Sequence, residues 1–251
     1  MLLVFLLAAF KTEKPKKYMK VSVIIPAFNE AENIEKTVQN IIDTVTDFDY
    51  VVINDCSTDN TRQICEKNKF NIINLPINLG IGGAVQTGYK YAYEYNYDIA
   101  VQVDGDGQHD PAFLRLMAQI LESENLNMVI GSRFIEKEGF QSSKLRRMGI
   151  KYFTILIKLL TGVTITDPTS GLRMIDREVI EMFANDYPRD YPEPESVVAV
   201  ICKNKKVKEI PVVMRSRQGG VSSINTKKSI YYMIKVTLAM VMERLRVTRK
   251  E

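Results

Sequence analysis

A chain of 251 residues with net charge +4 is long enough to bury a substantial core in one large domain or two small ones. Its apolar share of 45% against 25% charged excludes wholesale disorder. So small a cationic excess argues against a nucleic-acid partner and suits an anionic ligand or an acidic membrane face where the charge is clustered. Cys56, Cys65 and Cys202, an odd number in no metal spacing, exclude a disulfide framework and fit a reducing compartment. The single histidine, His109, excludes a His-based metal cage and a Ser-His relay within one chain.

Met1 to Phe10 is almost wholly apolar, and Lys11, Lys14, Lys16 and Lys17 follow it. The run is short of the ~20 residues needed to span a bilayer, and a secretory signal carries its cations before the apolar stretch. Residues 1–18 therefore read as a poorly ordered extension, or Met19 as the natural start. Val21 to Ile25 is the continuous apolar run of a strand buried on both faces, ended by Pro26. A turn through Asn29 leads to a helix from Glu30 to Val45. Tyr50 to Ile53 is the next buried run, and it stops at Asn54-Asp55-Cys56-Ser57-Thr58-Asp59. Ser57 and Asp59 read as N-caps for the helix from Thr61. That leaves the Asp55 carboxylate to accept the N3–H of a uracil or the N1 and N2 hydrogens of a guanine.

Asn71 to Leu75 is a third strand, and Asn78-Leu79-Gly80 opens a helix to about Asn96. Gly80, Gly82 and Gly83 lack both nucleotide-binding glycine spacings, so close helix packing is preferred over a phosphate cradle. The strand over residues 98–103 then ends in Asp104-Gly105-Asp106-Gly107-Gln108. Paired carboxylates beside bare backbone at a strand tip suit a divalent cation, Mg²⁺ or Mn²⁺, shared with a diphosphate; the same residues also make ordinary turns. Strand, turn and helix repeated four times imply a parallel sheet with helices on its faces, and ligands outside the carboxyl ends of its strands. The polar interruptions at Pro26/Asn29/Glu30, Asp55/Ser57/Asp59, Asn78/Gly80 and Asp104/Asp106 all fall there.

Pro111 opens a helix to about Ser123, and Met128 to Phe134 is a strand with Arg133 near its end. Residues 135–143 read as a mobile loop. Lys144 to Leu160 is basic and amphipathic, with Leu145, Met148, Tyr152, Ile155, Leu156 and Leu159 at helical spacing. It is either a solvated helix packed on the core, or one lying on an anionic membrane surface or offering Arg146 and Arg147 to a phosphate. Thr166 to Arg173 is a tight polar turn before a short strand and a helix from Asp176. Asp186 to Glu195 reads as a rigid acidic loop, its prolines holding the chain extended until Ser196 starts a helix. A strand over Val207 to Val213 leads into a cationic, glycine-rich loop, Arg215 to Ser223. Ser229 to Val241 is apolar except for Lys235, too short to cross a membrane, and suited either to rest on one or to pack as a terminal helix.

The ordered strings VSVIIPAFNEAENI, VINDCSTDNT, NLGIGGAVQTGYKYA, VDGDGQHDP, GSRF, DPTSGLRMI and RQGGVSSI resemble family 2 glycosyltransferases over about residues 20–225. Asp-x-Asp-x-Gln, Asp-Pro-x-Ser-Gly and the late Arg-x-x-Gly-x-Ser resemble most the polyprenyl-phosphate and dolichol-phosphate sugar transferases within that family. The resemblance implies a GT-A (Rossmann-like) α/β fold with a mostly parallel central sheet flanked by helices over residues 19–225. Residues 226–251 would form a C-terminal amphipathic helix at a membrane interface. It implies Asp104, Asp106 and Gln108 at the metal, Pro26, Asn29, Glu30, Asp55 and Gly105 at the nucleotide, and Arg217 on the donor phosphates. Arg133, Arg146 or Arg147, and Lys151 would hold an acceptor phosphate. Asn54 and Cys56 depart from the family's usual Asp-Asp-Gly, while Asp55 is kept.

The implied activity is inverting, metal-dependent transfer of a hexose from a nucleotide diphosphate sugar, UDP-linked as is commonest, to polyprenyl (undecaprenyl) phosphate for cell-surface polysaccharide. With no long C-terminal apolar span, attachment to the inner membrane face would be peripheral or through a partner protein. A phosphate acceptor is already an anion and needs no base. A sugar-hydroxyl acceptor needs one, for which Glu193 and Glu195 are the candidates. The remaining alternative is a non-catalytic nucleotide-sugar-binding subunit.

Overall fold

The computed structural model describes residues 19–136, 138–139, 144–190, 192–215 and 226–248. The extension over 1–18, most of the 135–143 loop and Arg217 therefore lie outside the described residues. Seven strands are ordered β3-β2-β1-β4-β6-β5-β7 in one sheet: β1 (Val21–Ala27), β2 (Asp49–Asn54), β3 (Ile72–Asn74), β4 (Ile99–Gln102), β5 (Met128–Ser132), β6 (Arg173–Asp176) and β7 (Val207–Pro211). β1 pairs parallel with β2 and β4, and β2 with β3, as strand–helix repeats require. β6 enters antiparallel between β4 and β5, and β7 pairs parallel with β5. The segment before β6 therefore arrives at the same sheet edge where β1, β2, β4, β5 and β7 end.

Period-2 alternation divides the core into two layers. Ile24, Val51, Ile53 and Ala100 face α3 (Gly80–Glu94), α5 (Lys144–Thr161), α6 (Arg177–Asn185), α7 (Pro192–Cys202) and α8 (Thr226–Thr248). Val23, Ile25, Val52 and Val101 face α1 (Ile34–Thr44), α2 (Thr61–Lys67) and α4 (Ala112–Ser123). The glycines of α3 serve packing, as preferred. A Cβ on Gly88 would lie 2.1 Å from Ile24 Cγ2, and one on Gly82 would lie 2.2 Å from the carbonyl oxygens of Pro188 and Arg189.

Two helices start more than two residues away from expectation. α1 begins at Ile34 rather than Glu30, because the Glu30 carbonyl accepts from the amides of Asn33 and Ile34 in a preceding turn. The expected loop to Glu195 is helical from Pro192. Proline fits a first helical turn, where the amide it lacks has no intrahelical partner, so Pro192 and Pro194 start α7 instead of delaying it. α8 runs through Thr248, since exposed Arg244 and Arg246 suit a helix as well as solvent. Buried Val236 and Met240 seat it on the core.

Candidate active site

The loops after β1 and β2 are stitched into one wall. Asn29, at φ 55°, donates its amide to Ser57 Oγ at 3.0 Å and accepts from the Thr58 amide at 2.8 Å. The Glu30 amide donates to Thr61 Oγ1 at 2.9 Å, and that of Ala31 to Asp59 Oδ2 at 3.0 Å. This corrects two expectations. Ser57 does not cap α2: Cys56 turns through φ 57° and carries Ser57 back toward Asn29, while Asp59 accepts the Thr61 amide. Nor is Asp55 left unengaged: its Oδ1 accepts from the Leu79 amide at 2.7 Å, at the N-cap of α3. Burial raises the Asp55 carboxyl above its usual range, against the amides of Leu79 and Gly80. Pro26 lies at the end of β1, and its carbonyl accepts from the Gly105 amide at 3.3 Å.

Asp104 is held from three sides. Its Oδ1 accepts from Gln102 Nε2 at 3.0 Å, and its amide donates to His109 Nδ1 at 3.1 Å. The third side is Gly171, where a Cβ would lie 2.5 Å from Asp104 Oδ2. The loop before β6 thus cradles this carboxylate only because position 171 has no side chain. The buried His109 ring, accepting at Nδ1, carries its neutral-state proton on Nε2, 3.8 Å from Asp104 Oδ2. Asp106 Oδ1 accepts from the Gln108 amide at 3.1 Å. The Gln108 side chain donates to the Arg215 carbonyl at 3.2 Å, and Arg215 pairs with Asp110 at 2.9 Å.

These residues fit a hard divalent cation. Two carboxylates stand at one strand tip, one in a cradle shaped for it, and the donors are oxygen. Among the described residues no group of three or more His, Cys, Asp or Glu is placed to hold a metal. Two carboxylates completed by substrate phosphate oxygens is the usual arrangement for Mg²⁺.

The opposite wall is built from buried charge. Arg173, 1% exposed at the start of β6, donates to the carbonyls of Pro168 at 2.8 Å, Ser170 at 2.8 Å and Glu193, and to Ser196 Oγ at 2.7 Å. It thereby ties the turn before β6 to the first turn of α7. Arg133 forms a buried two-pronged pair with Asp167, at 2.6 and 2.7 Å, and also donates to Thr169 Oγ1. Glu209 on β7 accepts from the amides of Thr166 and Asp167 at 2.6 and 2.8 Å. The expectation that Arg133 faces an acceptor phosphate is thus corrected: its guanidinium is enclosed and paired, as a buried cation must be.

The remaining expected cations and carboxylates separate by helix geometry. Arg146 is solvent-exposed at the start of α5, with the charges of Arg133, Asp167 and Glu193 in its field. Arg146 therefore faces the site. Arg147 and Lys151 are exposed, roughly 100° and 140° around α5 from Arg146, so the three do not form one patch. Glu193 and Glu195, two apart on a helix, point to different sides. Glu193 feels Arg173, Asp104 and Arg146, and burial raises its carboxyl. Glu195 feels Glu243 and Asp186, then Lys235 and Asp190, and burial pushes it up to about 7. As a candidate base Glu195 is corrected: it faces α8 and not Asp104.

Sequence reading gave no role to Arg173, Gly171 or His109. One signal was available for Arg173, an arginine inside the apolar run Leu172-Arg173-Met174-Ile175. Gly171 is visible only once β6 is seen to lie beside β4, and His109 only once the turn after β4 folds its ring back onto the Asp104 amide.

The sequence model of glycosyl transferase family 2 matches residues 22–183. The chain belongs to that family. It is 30% identical over 218 residues to the UDP-N-acetylglucosamine–dolichyl-phosphate N-acetylglucosaminyltransferase of Methanococcus voltae, covering 76% of this chain and 84% of that protein. It is 27% identical over 221 residues to the undecaprenyl-phosphate mannosyltransferase of Micrococcus luteus, covering 82% and 88%. Among solved structures, it is similar to Mycobacterium tuberculosis glucosyl-3-phosphoglycerate synthase in complex with Mn²⁺ and UDP-glucose. That match has a TM-score of 0.66 at 20% identity and covers 90% of this chain and 79% of that one. The chain is a glycosyltransferase, and its fold is GT-A.

Proposed function

We propose that this family 2 enzyme moves a hexose from a nucleotide diphosphate sugar, UDP-linked, to polyprenyl phosphate at the inner face of a membrane, inverting the sugar carbon. Residues 19–225 form the catalytic unit in this reading, and residues 226–251 an interface helix. The observation that carries it is the facing of two unlike walls: the Asp104/Asp106 tip on one side, and Arg146 with buried Arg133 and Arg173 on the other. Both relatives named above carry polyprenyl- or dolichyl-phosphate acceptors in their names, which supports the acceptor class.

Asp104 and Asp106, with Gln108 beside them, would hold Mg²⁺ or Mn²⁺, which when bound supplies positive charge against the departing diphosphate. His109, Gln102 and Gly171 fix the Asp104 carboxylate in advance, so little reorganisation is needed as charge develops. The Asn29, Glu30 and Asp55 loops form the nucleoside wall, with Pro26 and Gly105 at its floor. Arg217 is assigned to the donor phosphates. Arg215, two residues before it, is tied to Asp110 and Gln108 beside the tip, which supports that assignment. An acceptor phosphate near Arg146 relieves its repulsion from Arg133 and attacks as the anion it already is, with no base; exposed Arg147 and Lys151 add cationic potential.

The test is transfer to undecaprenyl phosphate from a panel of UDP-, GDP- and dTDP-sugars, with Mn²⁺ or with chelator. A lipid-linked sugar of inverted anomer, formed only with the cation, is expected; undiminished turnover in chelator defeats the reading. A second reading has one observation in its favour: the raised Glu193 carboxyl lies within the field of Asp104, as a base for a sugar-hydroxyl acceptor would. Glu193→Gln separates the two, since a phosphate acceptor keeps its turnover and a hydroxyl acceptor loses it.

A further inference from the structure

Exposed apolar side chains are concentrated on two helices. Of the 17 large hydrophobic residues exposed among the described residues, nine lie on α5 and α8, each between 42% and 78% exposed. On α5 they are Met148, Tyr152, Ile155 and Leu159, which at 100° per residue fall within an arc of roughly 60°. On α8 they are Tyr231, Ile234, Leu238, Met242 and Leu245, within an arc of roughly 80°. The two stripes join. Tyr152 Oη lies 3.0 Å from Thr237 Oγ1, and Tyr152, Ile234 and Leu238 line one shallow cleft of about 210 Å³. An apolar face of this extent, uncovered among the described residues, marks an interaction surface.

Charge identifies the occupant. α5 and α8 carry ten of the chain's 34 Lys and Arg but one of its 30 Asp and Glu, so they hold +9 while the rest of the chain holds −5. Arg147, Lys151 and Lys158 run along one border of the α5 stripe, roughly 60–100° from Met148. Two of the α8 cations answer to the protein instead: Lys235 pairs with Asp190 and Arg246 with Asp186. A second copy docked through the same face would oppose like charge to like charge. No helix among the described residues is long and apolar enough to cross a membrane. Apolar stripes bordered by cations are what an anionic lipid surface binds.

We infer that α5 and α8 form a two-helix platform that lies flat on an anionic lipid surface. Arg146, about 160° around α5 from Met148, faces the site on the platform's inner side. One helix thus touches lipid with one face and the acceptor pocket with the other. The link to the pocket rests on the lipid-phosphate reading above; the platform itself does not.

The experiment is flotation of the full chain with vesicles of phosphatidylcholine alone, or mixed with phosphatidylglycerol, without donor or polyprenyl phosphate. Association with the anionic vesicles alone is expected. The double variant Leu159→Asp, Leu238→Asp should lower partitioning at least about tenfold, and Lys158→Glu about fivefold. Both leave the melting temperature unchanged, since these side chains are exposed. Absence of vesicle binding, or binding indifferent to both variants, overturns the platform. So does a dimer in the ultracentrifuge that the Asp variant dissolves while vesicles remain unbound, which would make a second copy the occupant. Turnover with a short, water-soluble polyprenyl phosphate is measured separately. If it succeeds without vesicle binding, the function stands and the platform falls; if it fails with binding intact, the reverse holds.

Discussion

The two walls of the sheet edge are held together by different physics. On the β1–β4 side, neighbouring loops exchange short hydrogen bonds between backbone amides and small polar side chains, as from Glu30 to Thr61 and Ala31 to Asp59. On the β5–β7 side, buried charges span long stretches of chain, as in Arg133–Asp167 and the reach of Arg173 to Glu193. Such hydrogen bonds each contribute about 1 kcal/mol, somewhat more where the Asp59 carboxylate accepts, and fail singly. A buried charge is nearly neutral to stability when paired and costs several kcal/mol when its partner is removed. Substitutions in the first wall should therefore alter turnover with little change in stability, and those in the second should alter stability first.

The largest effect is expected at the strand tip. Asp106→Asn should lower kcat about 10³-fold or more, about 4 kcal/mol of transition-state stabilisation, with an unchanged thermal midpoint. Normal turnover in chelator would sink the proposed role of the tip. Next is Arg133→Met, which strands the buried Asp167 carboxylate and should cost about 3–5 kcal/mol of stability in urea unfolding. Pairing it with Asp167→Leu should restore much of that loss. If the single variant is as stable as the parent and only acceptor affinity falls, Arg133 is a ligand and the contrast between the walls breaks. Gly171→Ala joins the walls, because the new Cβ meets Asp104. It should cut kcat about 100-fold by displacing the carboxylate, with the donor's KM changed less than kcat.

The same contrast explains what could be read from the sequence. The strand tips at Asp55 and Asp104 follow buried apolar runs directly, so hydrophobic period and turn residues are enough to locate them along the chain. The partners of those residues depend on the backbone hand at single positions, Asn29 and Cys56, and Ser57 goes to Asn29 rather than α2 for that reason. The β5–β7 wall was hardly legible. Arg173 bonds to Glu193 and Ser196 across twenty residues and more, and Gly171 matters only because antiparallel β6 lies beside β4. The prolines at 192 and 194 signalled a boundary correctly, but one that opens a helix.

The smallest effect isolates the division between Glu193 and Glu195. Burial against α8, with Glu243 and Asp186 close by, raises the Glu195 carboxyl from its ordinary 4.5 to about 7, and Lys235 only partly offsets this. A raised carboxyl means that the folded state holds its proton more tightly than the unfolded chain does. Stability therefore falls as pH rises from about 4.5, and the loss is complete above about 7. Glu195→Gln removes that dependence. The variant should match the parent near pH 4 and exceed it near pH 8 by about 1 kcal/mol, a figure already reduced for the solvent that screens this half-buried group. Turnover should be unaffected, because the side chain lies between α7 and α8. If Glu195→Gln instead abolishes transfer while the melting curves coincide at both pH values, this carboxylate belongs to the reacting centre, and α7 presents both its glutamates to one wall.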